Sequence, residues 1–157
     1  MSYVNADGLE ILTSGEQGTA AKRGTSLSSQ KKALVMTITG TEVPSSVDTP
    51  QDDDAFIPAG SYITGAHLIV TTAFTSGGSA TLTVGTYQQD GTVVDADGID
   101  ATVALAALAA NKAVACDGAA VGGTATVGAN DVYVEAIYGT AAFTAGEAKL
   151  VIEYIEP

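Results

Sequence analysis

The chain has no tryptophan, one cysteine, one histidine and four prolines in 157 residues, and its six basic side chains face eighteen acidic ones. Each shortage closes a class of function. A lone cysteine, Cys116, cannot form an intramolecular disulfide, so the fold is expected to owe nothing to oxidation. A single histidine, His67, with no second histidine and no nearby cysteine, supplies neither a metal set nor a nucleophile and base. No cofactor, metal or catalytic residue is therefore expected, and no enzyme. The formal charge of −12 argues against nucleic acid, because a phosphate backbone is bound by clustered Lys and Arg that displace its counterions. No apolar run approaches the roughly 20 residues that span a bilayer, and the N-terminus lacks the basic start and apolar core of a secretory signal. Synthesis in the cytosol without a membrane partner is the expectation.

What is present is small and aliphatic. Hydrophobic residues make up 46% of the chain, but 27 of them are alanine, which buries little area compared with leucine or valine. With only three Phe and six Tyr, one light aliphatic core is expected at this length. Such a core leaves room for help from partner subunits. The charge is uneven: residues 1–32 hold Lys22, Arg23, Lys31 and Lys32 against Asp7, Glu10 and Glu16, a net +1, and the remainder carries −13. Rich in Gly, Ser and Thr and poor in large apolar residues, 1–32 reads as an extended arm, with a plain disordered tail as the alternative. Residues 33–157 read as the folded domain.

Period-two alternation dominates that domain. Leu34, Met36 and Ile38 alternate with Val35, Thr37 and Thr39 in a first strand over 33–39, which Gly40 ends. Residues 41–55, with Pro44, Pro50 and Asp52-Asp53-Asp54, read as a surface loop. The aspartates suit a hard cation in type, but no ligand framework of fixed spacing surrounds them. Phe56-Ile57 is a short strand running into the Pro58-Ala59-Gly60 turn. Residues 66–74 and 80–84 each alternate, and their Ser76-Gly77-Gly78 break predicts a hairpin. Its His67 lies on the face opposite Leu68 and Val70, a surface or interface position. Asp90-Gly91 between Tyr87-Gln88-Gln89 and Thr92-Val93-Val94 is a second hairpin signal. Asp95–Asp100 resembles a fragment of a calcium loop but lacks its closing glutamate, and reads as a turn. In 101–110 helix and strand compete, with a short helix after an Asp100 cap preferred. Residues 113–117 look like a small buried strand carrying a quiet Cys116. Residues 118–128 read as a small-residue loop or a weak strand around Thr124, Thr126 and Val127, and strands over 131–138 and 148–155 follow, with a turn at Thr144-Ala145-Gly146 before the last. Seven to nine short strands with turns every 8 to 12 residues or so predict an all-β antiparallel β-sandwich or jelly roll.

The stretch from Ile57 to Asp100, with its Pro58-Ala59-Gly60 turn, the Phe74 to Gly78 break and Gln89-Asp90-Gly91, resembles the head decoration, or cement, proteins of tailed bacteriophages. The likeness includes Val114-Ala115-Cys116-Asp117-Gly118, continues more weakly to Ile155, and extends to Asn5-Ala6-Asp7-Gly8-Leu9 and 18–32 in the leader. It implies a homotrimeric β-sandwich that sits on the outer capsid surface, has the major capsid protein as its partner and reinforces contacts between capsomers. On that reading Lys22, Arg23, Lys31 and Lys32 are the candidate contacts, since they offer an acidic partner what the acidic body cannot. The alternative is a carbohydrate-binding or adhesin module of a phage fibre. The absence of tryptophan counts against it.

Overall fold

The computed structural model describes residues 2–4, 10–12, 31–52 and 54–156. Two short strands in the leader, β1 (Ser2–Val4) and β2 (Glu10–Leu12), pair antiparallel with Tyr3 opposite Ile11. From Lys31 onward eight strands form the body. These are β3 (Lys31–Thr39), β4 (Phe56–Ile57), β5 (Tyr62–Ser76), β6 (Thr81–Tyr87), β7 (Val93–Ala104), β8 (Ala113–Ala115), β9 (Val132–Gly139) and β10 (Phe143–Ile155). The first strand thus opens at Lys31, two residues before the alternation becomes apolar.

The strands form two four-stranded antiparallel sheets, ordered β3-β10-β5-β8 and β4-β9-β6-β7. Only one consecutive pair in the body, β6 and β7, shares a sheet. Every other connection crosses from one sheet to the other, which is the winding of a jelly roll. The alternating residues explain why the layers close. Ile38, Leu68, Val70, Leu150 and Ile152 of the first sheet face Ile57, Leu82, Val84, Val132 and Val134 of the second, all buried. One end of the core is sealed by Phe74 and Phe143, packed edge to face with centroids 5.1 Å apart.

The Asp90-Gly91 hairpin forms as expected: the Gln88 amide donates to the Thr92 carbonyl at 2.8 Å and the Gly91 amide to the Gln88 carbonyl at 2.9 Å. Five other expectations need correction. Residues 66–74 and 80–84 are not a hairpin. The Ser76-Gly77-Gly78 break carries the chain between sheets, and β5 pairs with β10 and β8 while β6 pairs with β7 and β9.

Asp95–Asp100 is not a turn but an excursion within β7. Thr86 pairs with Asp95 and Val84 with Asp100, so three extra residues are accommodated on β7, a large bulge. The excursion is held because Gly98 and Ile99 carbonyls accept the amides of Ala120 and Gly118, each at 2.9 Å. It folds so closely over Gly85 that a Cβ there would lie 2.3 Å from the Ala96 oxygen.

The alanine-rich 101–110 is not a helix: β7 continues to Ala104, with Val103 opposite Leu82, and a single 3-10 turn covers Leu105–Ala107. Ladder pairing and burial of Val103 outweigh alanine's helix preference. Asp100 still accepts the Thr102 amide, at 3.2 Å, but from within the strand. Thr144-Ala145-Gly146 is likewise inside β10, where the register with β5 slips between Phe143 and Ala148. The turn lies earlier, at Thr140 with φ 70°. Finally, β8 is an edge strand whose Ala113 and Ala115 are exposed, and Cys116 is buried just beyond it.

Candidate interaction surfaces

Three side chains with chemistry in them, Cys116, Asp100 and Glu135, are turned away from solvent. Cys116 lies between sheets, its amide bonded to the Ala66 carbonyl at 3.0 Å. Burial, and then the carboxylate of Asp100 that accepts its S–H, push the thiol up to about 12. A thiolate, the reactive form, is thereby suppressed. The native protein is expected to resist a thiol reagent at neutral pH, with modification appearing only on denaturation. Rapid labelling of the folded chain would contradict this.

Asp100 itself is raised, first by burial and then by the nearby charge of Asp117, against donations from Thr102, Cys116 and Asp117. The groove of about 300 Å³ beside these carboxylates is lined otherwise by small side chains such as Val103, Ala104 and Ala115. Asp52 forms a local turn, its Oδ1 accepting the Asp54 amide at 2.9 Å, and Asp53 lies outside the described residues. Among the described residues no three His, Cys, Asp or Glu are grouped to hold a metal ion, and no helix is long and apolar enough to cross a membrane.

The second buried carboxylate, Glu135, shows how the second sheet is finished. It points away from the core, yet is 3% exposed, because the backbone of Pro44, Gln51 and Ala55 lies against β9 and Glu135 itself. Tyr138 and Val134 amides donate to Pro44 and Ala55 carbonyls, each at 2.9 Å, and the Gln51 amide donates to Glu135 Oε1. Burial pushes the Glu135 carboxyl above the ordinary glutamate value, opposed by donation from Gln51 and Asp52 backbone. Tyr87 beside it is also raised, by burial and by the Glu135 charge.

A carboxyl raised by folding contributes stability that is fully present below its unfolded value and is lost as pH rises through the folded one. Thermal stability is therefore expected to fall as pH rises from the ordinary glutamate value through the raised folded one. Glu135→Gln keeps the acceptor for Gln51 and removes the titration, so its midpoint should vary less over that range. Parallel wild-type and variant curves would rule out this assignment.

Open apolar side chains occur on both sheets: on the second, Val93 is 55% exposed, Val94 43% and Phe56 37%. On the outer face of the first, Val35 is 57% exposed, Ile69 43% and Ile155 38%, and His67 lies between Val151 and Ala115. Alternation in β3 put Val35 on the outward side, but nothing in the sequence set it beside Val151. A usable signal was the apolar residue at outward positions of three separate strands.

Of the four basic candidates, Lys22 and Arg23 lie outside the described residues. Lys31 and Lys32 open β3, where Lys31 Nζ lies 2.7 Å from Glu153 and Lys32 Nζ 2.6 Å from Glu156. The hydrogen bond to Glu156 raises Lys32. Both lysines are thus engaged by the C-terminal strand and its next residue, and the pairs remain accessible to solvent.

No protein-family model matches the chain, and no curated protein sequence matches it. Among solved structures, a chain of the "Capsid of Ralstonia phage GP4" superposes with a TM-score of 0.57 over 85% of this chain and 89% of that one, at 16% sequence identity. At that identity the likeness is one of fold.

Proposed function

We propose that the chain is a structural protein of a tailed-phage virion: a decoration, or cement, protein that binds the outer capsid surface through the major capsid protein and strengthens contacts between capsomers. The observation that carries this reading is the fold match to a phage capsid chain, nearly end to end in both proteins. The decoration role within that reading is what the sequence resemblance implies, whereas the fold match reaches only a capsid-related structural protein. In this reading the protein is a homotrimer without turnover of its own, made in the host cytoplasm and located on the virion.

Jelly rolls also serve as lectins, so fold alone leaves the glycan-binding module as a competitor. The grooves here favour the shell role. That beside Asp100 is lined by small and acidic side chains, and another of about 230 Å³ by Thr86, Val94, Asp95 and small neighbours, with no aromatic ring for a sugar face.

The test is co-sedimentation of purified protein with undecorated shells of its own phage. Saturable pelleting at hundreds of copies per particle is expected. Failure to pellet at any concentration, or saturation at a few copies, would reject the decoration role.

A further inference from the structure

A β-sandwich has two open sides, where the edges of its two layers face one another, and in this chain the two sides differ. On the β3 side the space is narrowed to about 50 Å³, because Glu42, Val43, Pro44 and Gln51 lie in it. On the other side, between β7 and β8, it stays open. A groove of about 300 Å³ runs there, with Val103 and Val114 as its floor, the exposed Thr102, Ala104 and Ala115 along its walls, and Asp100 and Asp117 at one end.

One wall of this groove is an unpaired sheet edge. The Val70 amide donates to the Lys112 carbonyl and the Cys116 amide to the Ala66 carbonyl, so the even-numbered residues of β8 and its flanks bond to β5. By the period of two, the amides and carbonyls of Ala113 and Ala115 point the other way, and no backbone group among the described residues bonds to them. The opposite wall is already satisfied at Thr102, whose amide is taken by Asp100 of the same strand. Unmet amides and carbonyls along an edge are a template for one more strand. Alanines on both walls leave room for its backbone.

We propose that this groove takes an extended, basic segment of the shell protein as a strand added to β8. The inference rests on the shell reading for the source of the segment, and on the groove itself for the segment's conformation and charge. Charge complementarity selects a basic occupant. Asp100 and Asp117 stand together, the charge of one raising the carboxyl of the other, and among the described residues the ion pairs are those of Lys31 and Lys32, at the far edge of the first sheet. A lysine or arginine entering at this end meets carboxylate, whereas an acidic segment is repelled. The three residues of β8 span about 10 Å, so three or so residues of the segment pair with it. This contact has the opposite polarity to one made by Lys22 and Arg23 of the leader, so the two engage different parts of the partner.

Co-sedimentation with undecorated shells tests this on the full chain. Ala115→Pro removes an outward amide and leaves the β5 ladder intact, because proline is tolerated where the N–H faces away from the sheet. It should raise the half-saturating concentration about tenfold with an unchanged far-ultraviolet spectrum. Asp117→Asn should raise it about threefold at low salt and by less at high salt, whereas Asp54→Asn, an equal change in an exposed turn, should match the wild type. Wild-type saturation by either folded variant overturns the inference. If Ala115→Pro loses its folded spectrum, Asp117→Asn decides alone. The loss in Asp117→Asn should also add to that of Lys22→Glu with Arg23→Glu; failure to add would put the chain's own leader in the groove and overturn the inference as well. Wild-type protein that never pellets removes the shell reading and this partner together, whereas pelleting with unaffected variants removes the groove alone.

Discussion

Gly146→Ala is expected to destabilise the domain by about 2 to 6 kcal/mol, combining backbone strain of about 1 to 3 with overpacking of about 1 to 3. Gly146 has φ 131°, a conformation side chains rarely adopt. A Cβ there would lie 2.4 Å from Phe74 Cγ and 2.7 Å from Phe74 Cα. The ring cannot retreat without breaking its packing on Phe143, and the Cα belongs to the β5 backbone. The register slips on either side of Glu147 show where β10 bends to let this approach happen. For a domain of this size the midpoint should fall by roughly 10 °C. Gly77→Ala, with open space around it, is the control and should change stability by no more than about 0.5 kcal/mol. Equal midpoints for the two variants would show that Phe74 and β10 are not arranged this way.

Gly146 also shows where sequence reading succeeds and where it stops. Alternation at Leu34-Met36-Ile38, at Ala66-Leu68-Val70 and at Leu82-Val84 marks strands and their buried faces, because side-chain direction repeats every two residues along any strand. It says nothing of which sheet a strand joins. In a jelly roll nearly every connection crosses, so a glycine break between two good strands was read as a hairpin when it was an arch. Interruptions inside long strands were misread for a related reason. Gly98 and Gly146 look like turns locally, but the amides of 118–120 and the ring of Phe74 hold them within β7 and β10. Those partners come from elsewhere in the chain. The same holds for the candidate contacts: Lys31 and Lys32 are visible as charge, whereas their engagement by Glu153 and Glu156 follows from the β3–β10 register. The open face was the least legible feature, since it exists only once three strands lie side by side.

Deletion of Met1–Gln30 is expected to leave the sandwich folded and to weaken attachment to shells at least about tenfold, an effect of about 1.4 kcal/mol or more. The body's sheets begin at Lys31, and no strand of β3 to β10 pairs with β1 or β2, so the ladders survive the cut. The ion pairs of Lys31 and Lys32 survive as well, which separates their contribution from that of the leader. Attachment is another matter, because Lys31 and Lys32 are already occupied by carboxylates of their own chain. Lys22 and Arg23 are then the cations left in the leader for an acidic partner, where opposite charge speeds encounter and fixes register. Lys22→Glu with Arg23→Glu in the full chain should reproduce much of the loss, and the loss should shrink at high salt as screening shortens the reach of these charges. The comparison is a co-sedimentation titration of full-length, truncated and charge-reversed protein, with far-ultraviolet spectra and thermal midpoints measured on the same samples. Equal occupancy at equal concentration would eliminate the leader as an anchor, and a lost β signature on truncation would place residues 1–30 within the folding unit instead.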